Sequence, residues 1–385
     1  MEEFILVSLK DMGGLNNLFP VIRELERRGR KIEIVASASG VASEVLKKNG
    51  IRFTLGEDAV KVSEKFPNPR LLVTSMCSAH NIGRNLISIL RDTCQTVAVQ
   101  DYWGVRLTDE WSPLEHRPHY ITVNDTLGAE LVKKAWPEFN PSRIWQTGFP
   151  MFDTYSNINN SDAVKARTEI LTKLNKSSNS AVVFFPCGAL NGASQFLSEI
   201  LEIINSYLTN NRSRQPLVFI PRCHPRLKKE PLMVSELNLW NEAMDKLESY
   251  HPEVLINDEA VIRADMKTLL MASNLVISDY STSLLEAGLV GARLDGKPNI
   301  SACYIPSIAK DMEKDLGPLL KEPPYVTLGC SAKATNNSNL HDLVTEFLDD
   351  KNNARRDSLR ENQKEHLKTD GHNSKRVADM IETLL

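Results

Sequence analysis

The segment from Asn274 to Gly291 carries side chains whose types and spacing suit the binding of phosphate and sugar groups. Hydroxyl groups and the free backbone N–H groups at the start of a helix bind phosphate oxygens, and a carboxylate accepts hydrogen bonds from sugar hydroxyls. Glu286 follows Thr282 by four residues, which places both on one helix face. The pattern is typical of a nucleotide-diphosphate pocket, and an ordinary capped core helix is the alternative. The polar side chains are, in order, Asp279, Tyr280, Ser281, Thr282 and Glu286.

Two secondary-structure elements must position these side chains. Leu275–Ile277 is a short apolar run of the kind that a parallel sheet buries on both faces. Asp279 and Tyr280 end that strand. The helix that follows can be capped by Ser281 or Thr282. A strand that leads into a hydroxyl-bearing turn at a helix start is a ready anion site.

A basic segment, Pro221–Arg226, follows another predicted strand, Leu217–Ile220. Arg222 and Arg226 are suited to pairing with phosphate oxygens. His224 is suited either to donate a hydrogen bond to a phosphate or to act as a general acid for a departing phosphate. The alternative is a basic loop with a structural histidine.

A third predicted strand of the second half, Ala181–Phe185, leads into the sequence Pro-Cys-Gly, which closes with Gly188. The carboxyl ends of parallel strands meet at one edge of a sheet, where open α/β sheets bind their ligands. We therefore expect Gly188, Arg222 and Asp279 to converge at one edge.

The N-terminal part of the chain begins with a short apolar run, Phe4–Leu9. Gly13 and Gly14 follow it, before a helix that we expect to begin at Asn16 or Asn17. This turn lacks the G-x-G-x-x-G spacing of dinucleotide-binding proteins. Two adjacent glycines allow a ligand to approach the backbone closely at the carboxyl edge of the first strand. A tight turn without a ligand is the alternative.

Asp101 directly follows the predicted strand Thr96–Gln100, so it lies at the edge where α/β sheets bind ligands. A carboxylate at this edge is suited to contact a bound ligand, and a role as a helix cap or turn residue is the alternative.

Two tryptophans, Trp103 and Trp111, lie in the loop after Asp101. An indole ring can stack on a sugar ring, although packing in the core is the more common role of tryptophan. Both roles stay open at this point.

The composition of the 385-residue chain excludes several classes of protein. Hydrophobic residues make up 42% and charged residues 25%, which is typical of soluble globular proteins. The formal net charge of −3 gives no strong nucleic-acid signal. The six cysteines include no C-x-x-C pair, so we expect no zinc site and a reducing compartment. No signal peptide or transmembrane segment is apparent, which indicates a cytoplasmic protein that could still act peripherally at a membrane.

The predicted strands and helices alternate along the whole chain, which indicates the α/β class. We expect two Rossmann-like, doubly wound parallel-sheet domains that face each other across a cleft, the default ligand site. The first would span residues 1–150, the second residues 151–360, and a closing C-terminal helix residues 361–385, which we expect to be solvated. Late strands are predicted at Asn299–Tyr304 and Tyr325–Thr327.

Several of these motifs resemble the GT-B glycosyltransferase superfamily. The nearest likeness is to the branch that contains the CDP-glycerol glycerophosphotransferases, related capsule and teichoic-acid enzymes, and enzymes like the sugar-nucleotide 2-epimerases. Members of this branch carry His-Pro after one strand and Asp-Tyr-Ser-Ser with an acid further on. The matching positions here are His224, Pro225, Asp279, Tyr280, Ser281, Thr282 and Glu286. The segment Thr147–Asp153 resembles the interdomain TGxPxxD motif, and the Gly13–Gly14 turn with its helix is similar to that of many GT-B enzymes.

The resemblance implies a role for the candidate residues. Ser281 and Thr282 would contact the diphosphate of a nucleotide-diphosphate sugar, which is the donor substrate, and Glu286 would contact its ribose. GT-B enzymes need no bound metal or other cofactor, because the helix dipole and side chains stabilise the leaving diphosphate. The resemblance also implies a base in the first domain that removes a proton from the acceptor. Asp101 is our first candidate for it, and the others are His80, Glu115 and His116. We expect Asp101 and His224 to be catalytic. The residues expected to bind the nucleotide sugar are Gly13, Gly14, Gly188, Arg222, His224, Asp279, Tyr280, Ser281, Thr282 and Glu286.

The sequence also departs from its relatives. The GTRPE-like opening of the non-hydrolysing 2-epimerases is missing, and so are the fused membrane-binding regions of teichoic-acid polymerases. Glu286 stands where the phosphotransferases often have Asp and where glycosyltransferases commonly have Glu, which favours a sugar nucleotide.

These features support three hypotheses about function. The first is a metal-independent glycosyltransferase that moves a sugar from a nucleotide-diphosphate sugar to a glycan, lipid-linked or other acceptor. The second is a sugar-nucleotide 2-epimerase or a CDP-glycerol-type phosphotransferase on the same fold. The third is a non-catalytic nucleotide-binding module. A homodimer is compatible with each of them.

Overall fold

The structure of the chain is a computed structural model. It describes residues 3–38, 40–76, 82–188, 191–210, 216–228, 230–250, 261, 264–279, 281–295, 300–305, 318–349 and 354–385. The chain divides into two compact units. Taken over their described residues, unit 1 comprises Met1–Ser156, Glu313–Lys321 and Lys368–Leu385, and unit 2 comprises Asn157–Met312 and Glu322–Leu367.

The described residues of unit 1 form a sheet of seven parallel strands in the order β3-β2-β1-β4-β5-β6-β7. The chain therefore winds outward from β1 in one direction and, from β4 onward, in the other, as in doubly wound folds. The strands are β1 (Ile5–Leu9), β2 (Ile32–Ala36), β3 (Thr54–Leu55), β4 (Leu71–Met76), β5 (Gln95–Gln100), β6 (Tyr120–Val123) and β7 (Ile144–Gln146). The helices that the chain forms between them are α1 (Met12–Arg27), α2 (Val41–Lys48), α3 (Ala59–Lys65), α4 (Ile82–Leu90) and α5 (Thr126–Ala135).

The central strands of unit 1 are buried on both faces. Every residue of β1 and β4 is buried, as the apolar runs in the sequence predict for a parallel sheet covered by helices. Alternate residues of β1 pack with the buried face of α1 in one hydrophobic cluster. The opposite face carries the hydroxyls of Ser8 and Thr74, which are joined by a hydrogen bond of 2.7 Å.

The first helix begins earlier than the sequence suggests. We expected a start at Asn16 or Asn17, but α1 starts at Met12 because Asp11 caps it. The Asp11 carboxylate accepts a hydrogen bond of 2.9 Å from the N–H of Gly14. The two glycines therefore lie in the first turn of the helix, not in a turn before it.

The last helix of the chain, α14 (Asn373–Glu382), belongs to the core of unit 1. We expected a solvated segment, but Val377, Ala378 and Ile381 are each 0% exposed. They repeat at helical spacing on one face, and their burial against the α1 cluster outweighs the charged character of the segment as a whole.

The TGxPxxD-like segment fixes the start of α14 within unit 1. Asp153 accepts hydrogen bonds from the N–H of Asn373 at 2.9 Å, the N–H of Ser374 at 2.8 Å and the hydroxyl of Ser374 at 2.6 Å. Gly148 has φ +79°, and a Cβ there would lie 1.9 Å from Asn373 Oδ1. The conformation and the close approach both require glycine. The motif therefore caps the C-terminal helix and fixes its position within unit 1.

We expect Asp153→Ala to destabilise α14 by about 1–3 kcal/mol, because the substitution removes a charged cap and leaves backbone N–H groups without an acceptor. Amide hydrogen exchange of α14 measures this local free energy directly. Asp153→Asn is the matched control, since its amide oxygen still accepts a hydrogen bond, and its effect should be smaller. Equal exchange rates in the wild type and Asp153→Ala would contradict the capping role.

The described residues of unit 2 form a sheet of five parallel strands in the order β12-β11-β10-β8-β9. The strands are β8 (Ala181–Pro186), β9 (Leu217–Arg222), β10 (Leu275–Ser278), β11 (Ile300–Tyr304) and β12 (Ala332–Ala334). The described helices are α6 (Asn160–Lys173), α7 (Ala193–Asn210), α8 (Val234–Tyr250), α9 (Met266–Ala272), α10 (Thr282–Gly291), α11 (Pro324–Thr327), α12 (Asn337–Leu348) and α13 (Ala354–His366).

The late elements of unit 2 differ in part from the sequence prediction. The strand predicted at Asn299–Tyr304 is present as β11. The strand predicted at Tyr325–Thr327 was wrong, because this segment forms the single helical turn α11, which starts at Pro324, where a fixed φ favours a helix. The edge strand is β12 instead.

Candidate functional site

The three segments expected to converge in unit 2 do lie on neighbouring strands. In the sheet order, β8 lies between β10 and β9, and all three run parallel. Their carboxyl ends carry Gly188 after β8, Arg222 at the end of β9 and Asp279 after β10. The sequence prediction of one shared edge is confirmed for these three strands.

Asp279 is buried, at 1% exposure, and its carboxylate accepts hydrogen bonds from groups at this edge. It accepts hydrogen bonds from the N–H of Gly188 at 2.6 Å and the hydroxyl of Ser278 at 3.0 Å. Burial, and secondly the Asp279 charge, raise the pKa of the Cys303 thiol. Asp279 therefore links the loop after β8 to the end of β10 and fixes the position of Gly188.

Ser281 is the N-cap of α10, one of the two caps that the sequence allowed. Its hydroxyl accepts a hydrogen bond of 3.2 Å from the N–H of Ser283. Its carbonyl accepts one of 3.1 Å from the hydroxyl of Tyr325, which is 1% exposed. The start of α10 is thus held by two hydrogen bonds, one to the hydroxyl of Ser281 and one to its carbonyl. Tyr280 lies outside the described residues.

The burial pattern of α10 singles out two side chains. Eight of its ten residues are buried, and the other two are Thr282, which is exposed, and Glu286, which is partly buried. These are the two residues that the four-residue spacing placed on one face. A helix that is otherwise buried therefore presents one short polar strip, which begins at its N-terminus.

The basic segment after β9 is partly buried. A guanidinium N–H of Arg222 donates to the carbonyl of Ala264 at 3.3 Å, which fixes the side chain at the strand end. His224 is partly buried, and its carbonyl accepts a hydrogen bond of 2.9 Å from the N–H of Leu227 in a short 3₁₀ turn. Burial raises the pKa of the Cys223 thiol between them. The side chain of Arg226 lies outside the described residues.

In unit 1, the structure brings Asp101 to the first turn of α1. A Cβ built on Gly13 would lie 2.2 Å from Asp101 Oδ2, so only glycine leaves room for this carboxylate. Gly13 therefore serves the approach of Asp101 to the helix, while the N–H of Gly14 bonds to the Asp11 cap. Both glycines have a role inside unit 1 without any ligand.

The environment of Asp101 changes its acidity. Its Oδ1 is buried and has no hydrogen-bond partner among the described residues. Burial, and secondly the negative charge of Asp11, raise the pKa of the Asp101 carboxyl well above its ordinary value. A carboxyl of this kind is a better proton acceptor than an exposed aspartate, which is what a general base requires.

The remaining candidates in the first domain are the two tryptophans and the alternative catalytic bases. Trp103 and Trp111 are each 0% exposed, so both belong to the core, and the sugar-stacking interpretation was wrong. The indole N–H of Trp103 donates to both carboxylate oxygens of Asp125, at 2.9 and 3.0 Å. Glu115 and His116 lie in a short 3₁₀ turn, and a ring nitrogen of His116 bonds to the carbonyl of Glu110. His80 lies outside the described residues.

Asp11 is the residue that the sequence prediction missed. It caps α1, and its negative charge is one cause of the raised pKa of Asp101. An aspartate three residues before the N–H that it caps is a recognisable N-cap signal. The two glycines after it concealed the helix start, because glycine has a low helix propensity.

A cavity of about 420 Å³ in unit 2 lies away from these residues. Its lining includes Ser273 and Asn274, which precede β10, so it is at the amino edge of the sheet, opposite the candidate site. Arg167 lines it, and its guanidinium donates to the carbonyl of Ala272 at 2.9 Å and to Asn274 Oδ1 at 2.7 Å. These contacts explain Arg167 as a link between α6 and the end of α9.

Within the described ranges, no three His, Cys, Asp or Glu side chains are grouped as a metal site requires, and the metal-independent mechanism stays a prediction. None of the described helices has the length and apolar character needed to cross a membrane.

Comparison with known proteins identifies the fold. Residues 97–286 match the family model described as CDP-Glycerol:Poly(glycerophosphate) glycerophosphotransferase. This range contains Asp101, the β9 exit and the whole turn up to Glu286. No curated protein sequence matches the chain.

Solved structures with similar folds cover nearly the whole chain. A UDP-N-acetylglucosamine 2-epimerase-like protein from Listeria monocytogenes has a TM-score of 0.63 at 15% identity, over 100% of this chain and 96% of its own. The UDP-GlcNAc 2-epimerase of Methanocaldococcus jannaschii, solved with UDP-GlcNAc and UDP, has a TM-score of 0.60 at 15% identity, over 100% of both chains. The wall teichoic acid polymerase TagF has a TM-score of 0.55 at 14% identity, over 99% of this chain and 88% of its own.

The sequence motifs, the two parallel sheets and these matches agree. The chain is a GT-B fold protein, and within that fold it resembles the branch that contains the CDP-glycerol glycerophosphotransferases and the UDP-N-acetylglucosamine 2-epimerases.

Proposed function

We propose that the chain is a transferase that binds a nucleotide-diphosphate sugar at the carboxyl edge of the unit 2 sheet and transfers the sugar to an acceptor. The observation that carries this proposal is the polar strip of α10. On a helix buried elsewhere, Thr282 is exposed and Glu286 is only partly buried. The strip combines a helix N-terminus, which attracts phosphate, with a carboxylate one turn further in, which accepts hydroxyl hydrogen bonds.

The proposed donor site assigns a task to each residue. The N–H groups at the start of α10, with the hydroxyls of Ser281 and Thr282, hold the pyrophosphate. Glu286 accepts hydrogen bonds from the ribose hydroxyls. Arg222 and His224, at the end of β9, neutralise the charge that develops on the leaving diphosphate. Such preorganised donors stabilise a departing diphosphate without a bound metal.

The proposed reaction needs a base in unit 1. Asp101 accepts the proton of the acceptor hydroxyl as the acceptor oxygen forms a bond to the anomeric carbon of the sugar. The bond between that carbon and the diphosphate oxygen breaks, and the electron pair leaves with the nucleoside diphosphate. The raised pKa of Asp101 supports its role as the proton acceptor.

A second candidate is transfer of glycerol phosphate from CDP-glycerol, which the family match over residues 97–286 favours. In that reaction the acceptor oxygen attacks phosphorus, and the leaving group is a nucleoside monophosphate. The two candidates therefore release different nucleotides. Chromatographic identification of the released nucleotide, a diphosphate for sugar transfer or CMP for glycerol phosphate transfer, distinguishes them.

The donor is identified first, by thermal shift of the full chain with UDP, GDP, CDP, CMP and dTDP and their sugar or glycerol derivatives. A ligand that binds the folded state raises the melting temperature by mass action. Binding without release of any nucleotide across a broad acceptor set would favour a non-catalytic module. A sugar nucleotide of altered configuration as the product would indicate an epimerase.

We expect Glu286→Ala to weaken donor binding about 10- to 100-fold, because it removes charged hydrogen bonds of roughly 1.5–3 kcal/mol. Isothermal titration with the nucleotide found in the screen measures the effect. Glu169→Ala is the matched control, since Glu169 lies on α6, where its partner is Lys173. Unchanged donor affinity in Glu286→Ala would remove the main support for the site.

A further inference from the structure

One face of α6 lines the cavity at the amino edge of the unit 2 sheet. The lining residues of this helix begin at Asn160, end at Thr172 and recur at intervals of three and four, which places them in one row on the same side. The row runs along about three and a half helical turns. The cavity volume of about 420 Å³ is in the range of sites that bind small molecules.

Arg167 lies in the middle of this row, and contacts on one side fix its guanidinium. Its Nη1 donates to the carbonyl of Ala272 at 2.9 Å and to Asn274 Oδ1 at 2.7 Å, and its Nη2 donates to the carbonyl of Ser180. A guanidinium has five N–H groups. The N–H on Nε has no acceptor among the described residues, so the fixed group keeps hydrogen-bonding capacity for a further partner.

The positive charge of Arg167 is not balanced within the described part of the chain. Its three acceptors are two carbonyl oxygens and an amide oxygen, all of them uncharged. The side chain is partly buried, and burial lowers the pKa of Arg167 without a nearby carboxylate to oppose that effect. A guanidinium nevertheless stays protonated in proteins. A partly buried cation of this kind is stabilised by an anion that binds beside it.

The other charged residues of the lining also favour an anion near Arg167. Lys176, in the loop after α6, adds a second positive charge. Asp295 lines the cavity too, but its carboxylate is paired with Lys364 at 2.9 Å. The N–H of Asp295 donates to Asn160 Oδ1 at 3.0 Å, which places this residue at the first turn of α6, whereas Lys176 follows the last turn. The negative and positive ends of the cavity are thus separate.

The walls on either side of Arg167 are aliphatic. Val164 precedes Arg167 by about one turn of α6, Leu171 follows it by about one turn, and Met271 faces the cavity from α9. None of the described residues that line the cavity is aromatic, so it offers no ring on which a nucleobase could stack. The lining therefore suits a molecule with an anionic head and a small aliphatic body.

We propose that this cavity is a second binding site, which takes a small organic anion. The carboxylate or phosphate group of the anion pairs with Arg167, and its aliphatic body lies against Val164, Leu171 and Met271. The site is distinct from the proposed donor site, because Ser273 and Asn274 precede β10 whereas the donor residues follow that strand. The inference therefore stands independently of the proposed function.

Titration calorimetry of the full chain with hexanoate and with hexyl phosphate tests the site. Hexan-1-ol and hexylamine have the same aliphatic body without the negative charge, and we expect the anions to bind and these two compounds not to bind. Comparison of the two anions identifies the preferred head group. Arg167→Gln should weaken anion binding about 10- to 100-fold, because it removes charge-assisted hydrogen bonds. Lys165→Gln is the matched control, since it removes a positive charge from an exposed position of α6 that does not line the cavity.

A second variant keeps the test decisive if Arg167→Gln fails to fold, because Arg167 also links α6 to α9. Ala163→Leu adds bulk to the cavity wall and leaves Arg167 and its three acceptors in place. It should also weaken anion binding about 10-fold or more, with thermal unfolding as the check that the chain is folded. Equal binding of hexanoate and hexan-1-ol, no binding of either anion, or wild-type affinity in folded Arg167→Gln or Ala163→Leu would overturn the proposal.

Discussion

Asp101→Asn should lower the rate of group transfer by about 10²- to 10⁴-fold, the usual contribution of general acid–base catalysis. Asparagine keeps the size of the side chain but cannot accept the proton of the acceptor hydroxyl. Donor binding should be unchanged, since the residues proposed to bind the donor belong to unit 2. The turnover number with saturating donor therefore falls, while the donor dissociation constant stays the same.

The same substitution should not destabilise the protein, and this separates a catalytic role from a structural one. Burial and Asp11 raise the pKa of Asp101 in the folded state above its unfolded value. The folded state therefore binds more protons between these two pKa values, and stability falls as the pH rises through that window. Neutral pH lies above the unfolded pKa of aspartate, so Asp101→Asn removes a group that lowers stability there, and we expect equal or higher stability.

Steady-state rates and thermal unfolding, both measured as a function of pH, test the two expectations together. In the wild type the rate should rise with pH as Asp101 loses its proton, and this limb should disappear in Asp101→Asn. Asp92→Asn, an exposed position in the same unit, is the control and should change neither property. Full activity in Asp101→Asn would contradict the assignment of Asp101 as the catalytic base.

The sequence was sufficient to predict the parallel-sheet architecture because buried parallel strands are apolar on both faces. Every residue of β1 is buried, and the mainly apolar run Phe4–Leu9 predicts this. The polar strip of α10 was also predictable, since four-residue spacing is a local property of a helix. In both cases the signal lies within one element.

The parts that the sequence did not predict depend on contacts between distant segments. The apolar residues of α14 are a minority in a charged segment, and only the unit 1 core shows why they are buried. Gly13 and Asp101 are far apart in the chain, and the fold of unit 1 brings them close together. The burial of Trp103 depends on Asp125, whose carboxylate takes the indole hydrogen bond.

The second large effect is expected at His224. We expect His224→Ala to lower turnover about 10²- to 10³-fold, the usual effect of removing one preorganised donor from a developing negative charge. His224 follows β9, directly beside the loop that carries Gly188, because β8 and β9 are paired up to Pro186 and Arg222. In the proposed reaction a hydrogen-bond donor at this edge acts on the leaving phosphate, so the loss should fall on the chemical step and leave the affinity for the nucleotide sugar nearly unchanged.

Single-turnover rates with the donor identified by the nucleotide screen measure this effect, and His372→Ala, an exposed histidine in unit 1, is the matched control.

The pH profile distinguishes the two tasks proposed for His224. A general acid must be protonated when the leaving group departs, so the wild-type rate would fall as the pH rises through the pKa of the histidine. A neutral hydrogen-bond donor would give a rate without that limb, and His224→Gln, which keeps an N–H donor, would then retain more activity than His224→Ala. If His224→Ala retained full turnover, the β9 exit would have no part in the reaction, and the helix N-terminus of α10 would have to hold the leaving group without it.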